Sequence, residues 1–276
     1  MDSGLSERAV ARDHLGWLLY ESGPRVADHT ILLLPGALCT AAFYDELIAE
    51  PSLRRASVRF AATTLPGFGG SEPLDDVSVE NYARLAGRLA ADLGCDAVVG
   101  HSLGANVAIE MLATGAFKGP TVLLSPSLSR KDESKFPRAL DVLSRVLGHV
   151  PYSLMLRIIG PAMKSSLPSA RRDALIAELR RNDPRFLRRQ TRGYLAYLDR
   201  HGSLASRLGD AGVATRIVFG EHDDVGLTDD ERRTLAGYPN VTIVEIPSAG
   251  HFTLNQEPGQ IAELVLDALS SQAPQD

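Results

Sequence analysis

The chain has 276 residues, of which 44% are hydrophobic and 23% are charged. This is enough apolar content for a sizeable core, and it excludes a disordered chain or a collagen-like repeat. The formal net charge of −5 gives no overall electrostatic attraction for nucleic acid, so we expect no nucleic-acid partner. No apolar run approaches the roughly 18 residues that a membrane-spanning helix needs.

The first ten residues include Asp2 and Glu7 and lack the apolar stretch of a cleaved signal peptide. We therefore expect a cytoplasmic protein. Cys39 and Cys95 are the two cysteines of the chain, and a reducing compartment predicts two free thiols rather than one disulfide.

Short apolar runs alternate with helical patterns along much of the chain. Strands are predicted at residues 30–34, 58–63, 97–99, 121–124, 215–219 and 241–246. Helices are predicted at residues 79–93, 103–112 and 260–269. Continuous apolar runs are typical of strands buried on both faces, so the pattern predicts an α/β fold with a mostly parallel sheet and helices on both faces.

The predicted strands stop after Leu124 and resume at Thr215, and the stretch between them has helical patterns. We predict a core domain made of residues 1–126 and 209–276, with residues 127–208 inserted as a helical cap. Residues 128–208 carry 17 Lys and Arg against 7 Asp and Glu, a formal charge of +10, and the remainder of the chain carries −15. This asymmetry between segments is more informative than the charge of the whole chain.

The clearest motif is Gly100-His101-Ser102-Leu103-Gly104, which fits G-x-S-x-G and lies between a predicted strand and a predicted helix. Its glycines allow a tight turn that presents the Ser102 hydroxyl at the tip. The same turn aims the backbone N–H of Leu103 at the place where an oxyanion would form. The motif therefore predicts Ser102 as a nucleophile.

A serine hydroxyl needs a base, and the base needs a carboxylate to orient it. Among seven histidines, His251 is the best candidate because it follows the last predicted strand, at the sheet edge where α/β enzymes place reactive groups. Asp223 follows the preceding predicted strand and is our choice for the acid, ahead of Asp224 and Glu221. The chain order Ser102, Asp223, His251 is the order expected for this type of site.

A second oxyanion donor should come from the loop after the strand at 30–34, which reads Pro35-Gly36-Ala37-Leu38-Cys39. Gly36 permits a backbone geometry that exposes an N–H group. The N–H of Ala37 is the preferred donor and that of Leu38 is the second choice.

These motifs resemble α/β-hydrolase-fold enzymes with a helical cap. The resemblance also covers Leu65 to Ser71 (L-P-G-F-G-G-S) and extends from about Thr30 to the end of the chain. It implies the catalytic roles of Ser102, Asp223 and His251 and the oxyanion donors Ala37 and Leu103. Because similar epoxide hydrolases and dehalogenases use Asp as nucleophile, Ser102 argues against those reactions. No metal-ligand set or phosphate loop stands out, so we expect no metal and no cofactor.

The pocket and the cap give weaker signals about the substrate. Side chains that we expect to contact it are Leu38, His101, Phe252, Leu156 and Ile159. Six arginines between positions 180 and 192 could attract an acidic carrier, as the cap does in the similar pimeloyl carrier methyl-ester esterases. The alternative is a solvated basic surface.

The sequence therefore predicts a serine hydrolase that cleaves a small-molecule carboxylic ester through an acyl-enzyme. A thioesterase or carrier-linked ester esterase, a lactonase and a C–C hydrolase would use the same triad. An alternative of another class is a ligand-sensing protein with slow turnover. Because one fold hosts many reactions, the choice among them rests on the site and on analogy.

Overall fold

The apolar runs form the strands of an eight-stranded sheet in the computed structural model, which describes residues 12–14, 17–164 and 166–270. The strands in chain order are β1 (Arg12–His14), β2 (Trp17–Ser22), β3 (His29–Leu34), β4 (Val58–Thr64), β5 (Ala97–His101), β6 (Thr121–Leu124), β7 (Thr215–Gly220) and β8 (Val241–Ile246). Their order across the sheet is β1-β2-β4-β3-β5-β6-β7-β8. Only β2 runs antiparallel to its neighbours in this order. The predicted α/β fold with a mostly parallel sheet is confirmed.

The helices connect the strands and cover the sheet. They are α1 (Asp45–Ile48), α2 (Pro51–Arg55), α3 (Val79–Leu93), α4 (Leu103–Ala113), α5 (Lys135–Leu147), α6 (Val150–Ala162), α7 (Arg172–Arg180), α8 (Pro184–His201), α9 (Ala205–Gly209), α10 (Asp229–Leu235), α11 (Thr253–Gln256) and α12 (Pro258–Ser270). A short 3-10 helix (Ala41–Tyr44) precedes α1. None of the helices in the described part of the chain is long and apolar enough to cross a membrane.

Successive residues of the central strands pack into two different cores. In β3, Leu32 and Leu34 belong to the core that contains α3 and α4, whereas Ile31 and Leu33 belong to the core that contains α12. The alternation follows from the geometry of a strand, whose neighbouring side chains point to opposite faces. Burial on both faces explains why the sequence of this strand is a continuous apolar run.

The inserted segment (helices α5 to α9, between β6 and β7) is tied to loops at the carboxyl edge of the sheet. The Asn182 side chain accepts a hydrogen bond from Gly69 N and donates one to Leu38 O, at 3.1 and 2.9 Å. The Phe186 ring meets the Phe68 ring edge-on, with 5.0 Å between centroids. The division into core and cap domains at residues 126 and 209 stays a prediction.

A buried charge on α4 joins the nucleophile helix to the inserted segment. Glu110 is 4% exposed and accepts a hydrogen bond from Arg207 Nη2 of α9 at 2.7 Å. The hydroxyl of Tyr197 on α8 donates to the same carboxylate at 3.1 Å. Since a carboxylate this deep is costly without a partner, Arg207 and Tyr197 offset the loss of water around it.

Arg207→Ala is expected to lower the free energy of unfolding by about 3 kcal/mol, because it leaves Glu110 buried without its cation. Arg233→Ala is the matched control, since it breaks an ion pair with Asp230 that is exposed on both sides, and such pairs contribute little. Urea denaturation of both variants measures the difference. Equal losses in the two variants would show that Glu110 does not depend on Arg207.

Candidate active site

Ser102 forms the turn between β5 and α4 and has an unusual backbone conformation. Its φ is 50° and its ψ is −117°, a region in which an L-residue is strained. Hydrogen bonds hold the turn on both sides. Ser102 N donates to Leu124 O at 2.8 Å, and Ser102 O accepts from Ala105 N and Asn106 N. The strain is therefore maintained by the surrounding strand and helix, as expected for a serine held for chemistry.

The two glycines of the motif are required by close backbone contacts. A Cβ atom on Gly104 would lie 2.1 Å from Leu34 O, and one on Gly100 would lie 2.6 Å from Gly104 O. Neither position has room for a side chain, so α4 can approach β3 and β5 only with glycine here. This is the physical reason for the spacing G-x-S-x-G in this chain.

Asp223 and His251 meet at the carboxyl ends of β7 and β8. His251 Nδ1 lies 3.0 Å from Asp223 Oδ1, and Val225 N donates to the same oxygen at 2.9 Å. The Asp223 side chain is 1% exposed. Because a carboxylate accepts hydrogen bonds, the proton lies on Nδ1 and the Nε2 atom of a neutral His251 is left as the base.

The pKa values of this pair follow from opposing effects. Burial favours the neutral form of His251, but the hydrogen bond and the charge of Asp223 outweigh it and raise the His251 pKa above 6.5. The carboxylates of Glu133 and Asp224 raise it further. Burial also opposes ionisation of Asp223, yet the hydrogen bonds from His251, Ser125 and Val225 hold its pKa below the usual value.

His101 supports His251 from behind. Its Nε2 lies 2.9 Å from His251 O, and the two rings lie 5.0 Å apart. Burial, and then the neighbouring His251, lower the pKa of His101 to about 3, so the ring is neutral and its Nε2–H donates to the carbonyl. Since Ser102 follows His101 directly in the chain, this contact connects the His251 loop to the turn of Ser102.

A cavity of about 130 Å³ lies against Ser102. Its walls come from the ends of β3 and β5 and from α5, α6 and α8. The lining residues are Ala37, Leu38, Ser102, Leu103, Glu133, Phe136, Pro137, Leu140, Tyr152, Met155, Leu187, Gln190, Thr191 and Tyr194. The two expected oxyanion donors, Ala37 and Leu103, therefore share this cavity with the nucleophile, and Leu103 lies in the first turn of α4, where N–H groups lack helical acceptors.

Of the five side chains expected to contact substrate, Leu38 lines the cavity. His101 lies beneath the loop of His251. Leu156 is buried in the main core, and Ile159 packs with Phe43 in a small cluster that Phe252 also contacts. These four fill space between the elements of the site instead of facing the cavity.

Sequence reasoning missed a polar network at the cavity, in which Glu133 and Tyr194 line the wall and Ser127 and Asn106 bind them. The Glu133 carboxylate accepts from Ser127 Oγ at 3.1 Å, and the buried Asn106 amide donates to Ser127 O at 2.6 Å. The Tyr194 hydroxyl donates to Asn106 Oδ1 at 3.3 Å, and burial raises its pKa well above 10. These residues come from four separate segments, so no local pattern marks them.

Ser125 was also missed as a partner of the acid–base pair. It follows β6, has a positive φ of 53°, and its N–H donates to Val218 O. Its hydroxyl helps to lower the pKa of Asp223 and lies 3.4 Å from His251 O. The available signal was that Ser125 directly follows a central strand, because the carboxyl ends of parallel strands lie at one edge of the sheet.

The fold and the geometry at its carboxyl edge define an α/β-hydrolase-type protein. The family model described as "Alpha/beta hydrolase family" matches residues 31–264, and the chain belongs to this family. No curated protein matches it in sequence.

Solved structures with the same fold include several hydrolases. An esterase from Exiguobacterium antarcticum is 14% identical with a TM-score of 0.72, over 92% of this chain and 95% of its own. The N-acyl homoserine lactonase AidH is 18% identical with a TM-score of 0.73, over 94% of both chains. An epoxide hydrolase, CorEH, is 18% identical with a TM-score of 0.68, over 92% and 95%. At these identities the likeness shows the fold alone.

Glu133→Gln is expected to lower the pKa of His251, because it removes a negative charge that stabilises the imidazolium. NMR titration of the His251 ring measures the change without any substrate, and a His251→Gln spectrum assigns the signal. Glu263→Gln, on the exposed face of α12, is the control and should leave the titration unchanged. An unaltered midpoint in Glu133→Gln would show that this carboxylate does not act on His251.

Proposed function

We propose that the protein is a serine hydrolase that cleaves carboxylic esters through an acyl-enzyme. The observation that carries the proposal is the pairing of Asp223 Oδ1 with His251 Nδ1 at 3.0 Å. The loop of this histidine is bonded to His101, the residue before a serine held at a φ of 50° in the wall of a cavity. A buried carboxylate, an oriented imidazole and a strained serine are the three parts that a hydroxyl nucleophile requires.

In the first half-reaction, Ser102 Oγ attacks the ester carbonyl and His251 Nε2 accepts its proton. Asp223 stabilises the imidazolium that forms and stays ionised, in keeping with its lowered pKa. The carbonyl oxygen becomes an oxyanion, which the backbone N–H groups of Ala37 and Leu103 stabilise. The imidazolium then protonates the leaving alkoxide, which departs as the alcohol and leaves the acyl group on Ser102.

In the second half-reaction, water replaces the alcohol. His251 Nε2 accepts a proton from the water as its oxygen attacks the acyl carbonyl. The second tetrahedral intermediate collapses when the proton returns from His251 to Ser102 Oγ, which releases the carboxylic acid. His101 holds the His251 loop through its hydrogen bond to His251 O, and the Ser125 hydroxyl helps to keep Asp223 ionised.

The inserted segment serves as a cap that limits the size of the substrate. Its helices α5, α6 and α8 supply most of the cavity wall. A cavity of about 130 Å³ is small beside the roughly 300–1,000 Å³ of sites for drug-sized ligands. We therefore propose that the substrate has a short acyl group, which occupies this cavity.

Experiments must distinguish ester hydrolysis from the other reactions that the same triad can support. Thioesters, lactones and C–C bonds remain predictions, as does a slow-turnover sensor. The carrier also stays a prediction, although several cap arginines already have partners within the chain: Arg181 pairs with Glu178, and Arg192 pairs with Asp141. The likeness to an epoxide hydrolase supports no epoxide reaction, because Ser102 stands at the turn where such enzymes have Asp.

We also propose that the protein works in the cytoplasm. Cys39 and Cys95 are both free. Burial raises the pKa of the Cys95 thiol to about 12 and raises the pKa of the Cys39 thiol still further. Neither thiol is therefore a ready nucleophile. Two unreactive free thiols suit a reducing compartment.

Ser102→Ala is expected to lower kcat on a p-nitrophenyl ester by about 10⁴-fold or more, because the covalent step is lost. It should also abolish the mass increase that a fluorophosphonate produces in the wild type. Ser57→Ala is a matched control, since Ser57 also has a positive φ, 52°, but lies between α2 and β4. Turnover that persists in Ser102→Ala would overturn the proposed mechanism, and labelling without turnover would favour a sensor.

The cavity volume predicts that kcat/KM is highest for acetyl and butyryl esters and falls as the acyl chain lengthens to twelve carbons. Leu140→Ala, which removes a wall of the cavity, should move the optimum to longer chains. Stopped assays on an ester series from two to twelve carbons measure both profiles. A preference for the longest chains in the wild type would show that the acyl group does not occupy this cavity.

A further inference from the structure

The inserted segment carries an unusual apolar surface on helices α5 and α6. In the described part of the chain, all but one of the large exposed apolar side chains lie on this helix pair. They are Phe136, Val142, Leu143, Val146, Leu147, Val150, Leu154 and Ile158, and the exception is Val26. We call these eight side chains the α5–α6 face. Soluble proteins expose single apolar residues commonly, but a cluster of this size marks an interaction surface.

The cluster has a helical pattern on both elements. Val150, Leu154 and Ile158 are spaced by four residues and so form one stripe along α6. On α5, Val142 and Val146 have the same spacing. Other sides of both helices are already used, because Leu140 on α5 and Tyr152 and Met155 on α6 are buried and line the cavity. The exposed stripes are thus additional apolar surface that the fold itself does not need.

The charges that α5, α6 and the residues beside them carry are nearly all positive. Residues 134–164 contain five Lys and Arg and a single carboxylate, Asp141. Asp141 is buried and paired with Arg145 and Arg192. Lys135 and Arg157 are exposed among the apolar side chains. An apolar ridge bordered by cations, with no exposed carboxylate in this stretch, complements an anionic layer that has an apolar interior.

The face is also continuous with the cavity. Phe136 is exposed and at the same time lines the cavity beside Ser102, as does Pro137. The exposed apolar surface therefore extends without a break to the wall of the cavity beside Ser102.

From these observations we infer that the α5–α6 face docks on a phospholipid surface that carries anionic headgroups. The apolar side chains enter the boundary between headgroups and acyl chains, and the flanking cations lie against the headgroups. Val146 is 87% exposed, and the boundary between headgroups and acyl chains supplies the apolar environment that this side chain lacks in water. The docking is peripheral, and it is independent of the proposed hydrolase activity.

The test is sedimentation with vesicles of phosphatidylglycerol or of phosphatidylcholine, using the full chain with Ser102→Ala so that no lipid ester is cleaved. The protein is expected to bind phosphatidylglycerol vesicles more tightly and to lose affinity as salt is added. Val146→Asp should weaken this binding at least about tenfold, because an apolar side chain of this size contributes about that much when buried.

Val26→Asp is the matched control. Val26 is 90% exposed, lies between β2 and β3, and gives the same change of residue and charge. Its binding should stay within about twofold of the parent, and both variants should keep the parent's thermal unfolding midpoint, since neither side chain is packed. Leu154→Asp, on α6, should repeat the loss seen with Val146→Asp.

Three results would overturn the inference. The first is absence of binding to phosphatidylglycerol vesicles. The second is equal binding by Val146→Asp and Val26→Asp, which would place the contact elsewhere. The third is a dimer of the parent that Val146→Asp dissociates in sedimentation equilibrium, which would assign the face to a second copy of the chain.

Discussion

The contact between Gly104 and the backbone of Leu34 is the constraint on which the site depends. With 2.1 Å between Leu34 O and the position of an added Cβ, helix α4 lies as close to strand β3 as two backbones can. That closeness forces the chain to turn within the single residue Ser102, and the energy of its positive φ comes from the packing of the strand and helix around it.

The remaining parts of the site follow from where parallel strands end. Asp223 follows β7, His251 follows β8, and Ser125 follows β6, so all three reach one edge of the sheet. The contacts among them are made by loops, but the strands fix where each loop begins. His101 adds a connection between the nucleophile turn and the His251 loop through a single hydrogen bond of 2.9 Å. Displacement of one loop therefore alters the positions of Asp223, His251 and Ser102 together.

The sequence predicted the central sheet because continuous apolar runs are a strong local signal, whereas the catalytic roles of Asp223 and His251 stay a prediction. Strands buried on both faces are largely apolar, as residues 31–34 and 122–124 are. β1 and β2 were not predicted from the sequence. β2 lies near the edge of the sheet, and its first four residues alternate between buried and half-buried instead of forming a continuous buried run.

The cavity wall was harder to predict than the strand–turn–helix that contains Ser102. Leu156 and Met155 are adjacent on α6, yet Met155 lines the cavity and Leu156 packs in the core. Because α6 also has an exposed apolar stripe at Val150, Leu154 and Ile158, its sequence is apolar on most sides and does not fix the rotation of the helix. Only packing against α5 and α8 sets that rotation, and packing depends on distant residues.

The pairing of β6 with β7 has a consequence for how this molecule can diversify. Leu124 lies opposite Val218 in neighbouring strands, although the whole inserted segment separates them in the chain. The sheet thus holds the two ends of the inserted segment together, whatever residues lie between them. Doubling the length of a loop costs only about 0.6 kcal/mol in closure entropy. The inserted segment can therefore be lengthened, shortened or replaced at small thermodynamic cost. The inserted segment can therefore change in evolution while Ser102, His251 and Asp223 keep their positions.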